Sequence, residues 1–139
     1  MATVIKIKNL DDGYQSIITN GKHSIIGDEP IKSHGTDLGF GPSELVLSGL
    51  AMCKVATIRF MARKNGWIIG EVRAELTQEV KHGNDGLKTN VKVAIEIDGD
   101  LTQEQKDELF KEANHCYIHR QLTGEWDIDA ITELENIKI

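Results

Sequence analysis

The sequence contains few cysteine, proline and aromatic residues and no long apolar run, and these absences argue against several classes of protein. Its 139 residues include two cysteines, two prolines and only 5% aromatic residues. Two cysteines are too few for a secreted fold held together by disulfides. No uninterrupted apolar run approaches the ~18–20 residues of a membrane span, and the N-terminal residues lack the basic and apolar regions of a signal peptide. We therefore expect a cytoplasmic protein that does not bind membranes.

Positive charge is also scarce. The chain has 16 Lys and Arg against 22 Asp and Glu, which gives a formal net charge of −6. This balance argues against a nucleic-acid partner, because such partners are bound through clustered basic residues. The composition is otherwise that of an ordinary globular protein, and the length predicts a single domain over residues 1–139.

The N-terminal part of the chain predicts short strands. Residues 3–8 form one candidate, and residues 14–19 and 22–26 form a hairpin around Asn20-Gly21, a pair typical of a type I′ turn. A Gly-rich loop follows over residues 27–41. It precedes a helix, where phosphates can bind, but it lacks the spacing of a P-loop or a dinucleotide-binding motif. We interpret it as a flexible loop.

A long central helix is predicted from Pro42, which suits the first helical position, to about Asn65, with Gly66 as the C-terminal cap. Glu44 lies in its first turn, where the helix dipole favours an acidic residue. The segment LVLSGLAMC within the helix has apolar residues on every side. Such a helix is expected to be buried on every side, partly by a second subunit.

The second half of the chain predicts an antiparallel hairpin and a helix. Residues 68–80 and 87–97 alternate between apolar and polar side chains, and turn-forming residues lie between them. Thr102 and Gln105 form a capping box for a helix that ends near Asn114. The predicted apolar stripe of this helix contains Leu109, Phe110, Ala113, Cys116 and Tyr117. A last strand near residues 126–131 and the tail ENIKI complete an α+β pattern.

Cys53 and Cys116 are the candidate reactive residues. A buried free cysteine is most often only a small hydrophobic side chain, and there is no Cys-x-x-Cys motif. A zinc site formed by His115, Cys116 and His119 is an alternative, but a closed site needs four ligands. His23, His34 and His82 are candidates by residue type alone.

Two segments resemble the OsmC/Ohr family. The run GPSELVLSGLAMCKVATIRFMARKNGW is similar to the family's central-helix motif with its buried cysteine. The run LTQEQKDELFKEANHCYIHRQLTG is similar to the second motif, a helix that ends in a second cysteine. The order of elements agrees along nearly the whole chain.

This resemblance implies an OsmC-like α+β fold, with antiparallel sheets packed on a long buried central helix in an intertwined homodimer. It also implies thiol-dependent reduction of organic hydroperoxides in oxidative-stress defence. Cys53 would be the peroxidatic residue and Cys116 the resolving residue, condensing to a disulfide. No bound cofactor is expected, because an external thiol reductant would restore both thiols.

The sequence departs from the family pattern at three places. Peroxidases of the family use an N-terminal Arg to hold the thiolate, but no Arg precedes Arg59. The family's Glu lies ten residues before the peroxidatic cysteine, where this chain has Ser43; Glu44 lies nine before, on roughly the opposite helix face. In this respect the chain resembles the OsmC-like branch of the family, in which this Glu lies nine before the cysteine, and Glu44 is a further candidate catalytic residue. Tyr117 also replaces a Pro that typically follows the second cysteine.

The candidates to supply positive charge in place of the missing Arg are Lys22, His23, Lys32 and His34. Lys54 adjoins Cys53 in sequence, but its side chain is expected to point away by about 100°. The departures leave open a second function, that of a non-catalytic protein that binds a small apolar molecule or senses redox state.

Overall fold

The computed structural model describes residues 2–134. It is an α+β structure with small antiparallel sheets, three α-helices and a short 3₁₀ helix over Ile31–Ser33 within this range. The contacts divide it into two units, one of residues 2–46 and 127–134, the other of Leu47–Trp126. The predicted tail ENIKI lies outside the described residues. The prediction of one domain over the whole chain stays a prediction.

The first unit contains a three-stranded antiparallel sheet in the order β1 (Lys6–Asn9), β2 (Ser16–Thr19), β3 (Ser24–Gly27). The predicted hairpin is present, but its turn differs from type I′. Thr19 pairs with Ser24, so the loop has four residues. The Asn20 side chain accepts hydrogen bonds from the backbone N–H groups of Lys22 and His23. Only Gly21 in this loop takes a positive φ, of 93°.

The loop after β3 is ordered by Asp28, whose side chain is 4% exposed. Its carboxylate accepts hydrogen bonds from the backbone N–H groups of Glu29 and Leu38 and from the hydroxyl of Thr36. These bonds lower the pKa of Asp28, the Thr36 hydroxyl most of all. The sequence predicted a flexible loop; the structure instead shows a hydrogen-bonded one, because a single carboxylate can satisfy several donors.

Helix α1 (Pro42–Lys64) begins at the predicted proline and ends one residue before the predicted end. Gly66 has a φ of 72°, and the N–H of Trp67 donates to the carbonyl of Ala62. This is the glycine-capped ending expected from the sequence. By length and composition α1 could also cross a membrane, which the count of uninterrupted apolar residues missed. Core helices of soluble proteins meet the same criteria.

Only one stripe of α1 is buried in the single chain. The stripe consists of residues spaced four apart: Leu50, Lys54, Ile58 and Ala62. On another side, Met52 is 73% exposed and Phe60 is 63% exposed. The burial on every side that the sequence predicted is therefore not seen within one chain, which supplies elements for one face only.

The second unit contains a long hairpin, β4 (Val72–Gly83) and β5 (Gly86–Ile97), joined at Asn84-Asp85 as predicted. Helix α2 (Gln103–Ala113) has the predicted capping box between Thr102 and Gln105. The core of this unit brings together α1, β5 and α2: Ile58, Ala62, Ile97, Leu109 and Ala113. Packing of these side chains fixes α2 against α1.

The C-terminal part of the described chain differs from the prediction in two respects. Cys116 does not continue α2; it is the N-cap of a further short helix, α3 (Tyr117–Thr123), and Tyr117 is 67% exposed. The predicted strand near residues 126–131 is absent. No neighbouring strand pairs with this segment among residues 2–134, so its backbone groups have no ladder to join.

Candidate functional site

The two cysteines lie together although 63 positions separate them in sequence. Cys53 lies in the middle of α1 and is partly buried, whereas Cys116 lies between α2 and α3 and is 2% exposed. Both thiols are free, and they are close enough that Cys53 raises the pKa of the Cys116 thiol. Because the core packs α2 against α1, the turn after α2, which contains Cys116, lies beside the middle of α1, which contains Cys53.

A backbone amide is directed at Cys53. The N–H of Ile118, in the first turn of α3, donates to Cys53 Sγ over 3.4 Å. A donor at this position favours a sulfur that carries negative charge. The short helix that follows Cys116 thus contributes to the surroundings of the other thiol.

The pKa of the Cys116 thiol lies above its usual value. Burial raises its pKa, and the neighbouring Cys53 thiol raises it further. The backbone N–H of His119 and the positive charge of Lys54 act in the opposite direction. The balance keeps Cys116 protonated at neutral pH while it lies beside Cys53.

Lys54 is one of two fully buried charged side chains among the described residues, at 2% exposure. Its Nζ donates to the carbonyl oxygen of Ala113 over 2.9 Å and lies 2.9 Å from Nδ1 of His119. A buried ammonium requires such partners, and a carbonyl at the C-terminal end of a helix is a favourable one for a cation. Lys54 therefore joins α1 to the end of α2 and the start of α3.

His119 is held in its neutral form. Burial lowers its pKa below the usual 6.5, and the charges of Lys54 and His115 lower it further. Because Nδ1 accepts a hydrogen bond from Lys54 Nζ, the ring proton belongs on Nε2. His119 thus serves as a hydrogen-bond acceptor here.

The arrangement does not favour the zinc alternative. His119 Nδ1 contacts Lys54 Nζ, and His115 Nδ1 bonds the carbonyl of Lys111 instead. Within residues 2–134 no three His, Cys, Asp or Glu side chains are grouped to hold a metal ion.

Glu44 lies in the other unit, at the start of α1. Its Oε1 accepts a hydrogen bond from the backbone N–H of Gly41 over 2.9 Å. This interaction satisfies an N–H that precedes the helix, the capping role that first-turn acidic residues commonly have.

Sequence reasoning missed Lys54 and its partner. The direction of Lys54 relative to Cys53 does not indicate its contact with His119, and the spacing of His115 and His119 suggests only a zinc site. The sequence does contain a signal for the burial of Lys54. It lies four residues after Leu50 and four before Ile58, and this spacing places it on the same helix face as these apolar residues.

Comparison with known proteins gives a family and a fold. Residues 35–130 match the model of the family described as OsmC-like protein. The chain is similar to an OsmC-like protein from Mycoplasma pneumoniae, with 24% identity, a TM-score of 0.75 and 89% of each chain covered. No match was found among curated proteins.

Two further solved structures are of proteins named for resistance to organic hydroperoxides. One is an organic hydroperoxide resistance protein OsmC from Legionella pneumophila, with 21% identity and a TM-score of 0.68, covering 89% of this chain and 90% of that one. The other is OhrB of Bacillus subtilis, with 20% identity and a TM-score of 0.62, covering 87% and 91%. At these identities the likeness concerns the fold.

Proposed function

Because this chain belongs to the OsmC-like family, we propose that it reduces organic hydroperoxides with the thiols of Cys53 and Cys116. The observation that carries the proposal is the proximity of two free cysteines that lie 63 positions apart: the N–H of Ile118, two residues after Cys116, donates to Cys53 Sγ, and Cys53 raises the pKa of Cys116. Members of the same fold are named for resistance to organic hydroperoxides. A role in peroxide or stress response fits both facts.

Cys53 is the attacking residue in this proposal. It is the less buried of the two thiols, and the Ile118 N–H is placed to stabilise its thiolate. The thiolate attacks one peroxide oxygen, so that an S–O bond forms while the O–O bond breaks. The departing alkoxide takes up a proton and leaves as an alcohol, and Cys53 becomes a sulfenic acid.

Cys116 then resolves the sulfenic acid. Its sulfur attacks Cys53 Sγ, an S–S bond forms, and the S–O bond breaks. The hydroxide that leaves takes up the proton released by Cys116 and becomes water. An external dithiol reduces the disulfide through a mixed disulfide, which requires no bound cofactor. A reducing compartment such as the cytoplasm suits this cycle.

We also propose that the working unit is a homodimer. The exposed apolar side chains of Met52 and Phe60 on α1 would be covered by a second copy of this chain. Sedimentation equilibrium of the purified protein measures this directly, and a monomer at micromolar concentration would contradict it.

The test of the function is single-turnover oxidation. Reduced protein is mixed with one equivalent of an alkyl hydroperoxide, and remaining thiols and released alcohol are counted over time. We expect two thiols lost and one alcohol formed per chain. Cys53→Ser should lower the rate by at least about 10³-fold, because the nucleophile is lost. Cys116→Ser should still release alcohol but stop at a sulfenic acid.

The matched control is Leu87→Ser, a change at an exposed residue of the long hairpin. Its rate of alcohol release should remain that of the unaltered protein. Two thiols that persist in the presence of hydroperoxide, or a Cys53→Ser variant as fast as its control, would refute peroxidase activity.

A second candidate function is the binding of a small apolar molecule. It is favoured by a small cavity of about 180 Å³ next to Lys54. Val93, Ile95 and Phe110 line it together with Lys54, Ala113 and Asn114. Typical ligand pockets measure roughly 300–1,000 Å³, so this one would accept only a short apolar group. Binding of small apolar molecules to protein whose thiols are inert to peroxide would favour this function over the first.

A further inference from the structure

Cys116, the resolving cysteine of the proposed function, lies on a turn that is bonded by the buried side chain of Lys54. The carbonyl of Ala113 accepts two hydrogen bonds, one from Lys54 Nζ at 2.9 Å and one from the backbone N–H of Cys116 at 3.3 Å. Lys54 therefore bonds the same atom that fixes the backbone of Cys116.

The second contact of Lys54 lies beyond the cysteine. Nδ1 of His119, in the first turn of α3, is 2.9 Å from Lys54 Nζ. One ammonium group thus spans the junction between α2 and α3, with Cys116 between its two partners. The lysine itself is fixed in the middle of α1, next to Cys53 in sequence.

We infer that Lys54 is a positioning residue for the resolving thiol, which holds the Cys116 turn against Cys53 and supplies the positive charge that favours the Cys116 thiolate. The inference rests on the proposed function and deepens it. The cation in this site acts on the resolving sulfur, whereas the amide of Ile118 serves the attacking one.

The chemistry of resolution explains why a charge is needed there. Cys116 must lose a proton to attack the sulfenic acid, and burial opposes that loss. An ammonium nearby lowers the free energy of the thiolate, as an opposite charge does for any buried acid. The charged and titratable groups around Cys116 are Cys53, Lys54 and His119, with His115 acting on His119.

The first experiment titrates Cys116 without peroxide. In a Cys53→Ser background, the ultraviolet absorbance of the thiolate is followed against pH with Lys54 intact or replaced. Lys54→Met should raise the midpoint of Cys116 by about one pH unit, which corresponds to a tenfold smaller thiolate fraction. Lys54→Arg should keep the midpoint close to that of the background protein, because it keeps the charge.

Lys54→Gln separates charge from position. Its amide can still donate to the Ala113 carbonyl but carries no charge, so the midpoint should rise as in Lys54→Met. If Lys54→Met does not fold, Lys54→Gln still shows whether the charge of Lys54 controls the midpoint of Cys116. Lys64→Met, an exposed lysine at the end of the same helix, is the matched control and should leave the midpoint unchanged.

The second experiment follows the two steps of a single turnover in the protein with both cysteines. A dione reagent traps the sulfenic acid at successive times. In Lys54→Met, oxidation of Cys53 should keep its rate, whereas disulfide formation should slow by about tenfold and trapped sulfenic acid should accumulate. Lys54→Arg should restore disulfide formation.

The inference is overturned by an unchanged midpoint in both Lys54→Gln and Lys54→Met, or by equal slowing of both steps. A protein that does not react with hydroperoxide refutes the proposed function instead. The titration uses no peroxide, so it still decides whether Lys54 controls Cys116, and the two failures are distinguishable.

Discussion

Each of the two units contains one fully buried charged side chain among its described residues, and the two differ in reach. Asp28 bonds donors no more than ten residues away along the chain. Lys54 bonds partners 59 and 65 positions away. The first charge shapes a loop, whereas the second joins three helices around a pair of thiols.

The two charges also differ in how much buried apolar packing surrounds them. No apolar side chain in the described part of the first unit is fully buried, whereas the second contains the whole packed cluster around Ile58 and Leu109. Local hydrogen bonds order the Asp28 loop. The Lys54 contacts depend on packing that first brings α2 to α1. A site assembled by packing should therefore be lost with the core, whereas the Asp28 loop should fail locally.

The largest effect on stability is expected from Leu109→Ala. Leu109 is 0% exposed, so the change removes apolar contacts and leaves a cavity. We expect the free energy of unfolding to fall by about 2–5 kcal/mol, as measured by denaturant titration. Leu87, at 69% exposure on the hairpin, provides the control, and Leu87→Ala should cost less than about 0.5 kcal/mol. Equal losses in the two variants would contradict the packed core.

A smaller and local effect is expected from Asp28→Ala, which removes the acceptor for several donors of the loop. Amide hydrogen exchange at Glu29 and Leu38 should accelerate by about tenfold, while exchange in α2 should not change. Asp37→Asn is the control, because Asp37 is exposed and its positive φ of 56° suits asparagine. Faster exchange in α2 as well would contradict a local role.

The smallest effect is a pH dependence that distinguishes the Lys54 site from the Asp28 loop. The pKa of His119 is lowered in the folded protein, so the unfolded chain binds the proton more readily. The stabilisation is fully present above the usual value of 6.5 and is lost as pH falls through the folded pKa. Protonation would remove the acceptor for Lys54 and bring two positive charges together.

Denaturant titrations at a series of pH values below neutral measure this loss. His119→Gln offers a neutral acceptor at every pH, so its stability should fall less on acidification than that of the unaltered protein. His82→Gln, on the exposed end of the hairpin, should retain the full dependence. Identical pH dependence in all three proteins would rule out the role of His119.

Features with local causes could be predicted from the sequence. The ending at Gly66, the capping box at Thr102 and Gln105 and the turn of the long hairpin each depend on residues close along the chain. The proximity of the two cysteines followed only from the resemblance to a family, because the packing of α2 on α1 has no local signature.

The errors also have physical causes. The strand expected at residues 126–131 needs a neighbouring strand, and apolar composition alone does not provide one. The order of the loop after β3 depends on which donors one carboxylate can reach. The angle of about 100° between Lys54 and Cys53 on α1 does not reveal that Lys54 lies on the buried stripe with Leu50, where its partners pack.

The positions of the two thiols in the fold also determine which of them can be displaced toward the other. Cys53 is carried by a 23-residue helix whose backbone bonds resist displacement on both sides of it. Cys116 sits where one helix has ended and a seven-residue helix begins. In the proposed cycle, closing a covalent bond between them therefore requires motion of the second thiol, so that α1 serves as the fixed reference and α3 undergoes the displacement.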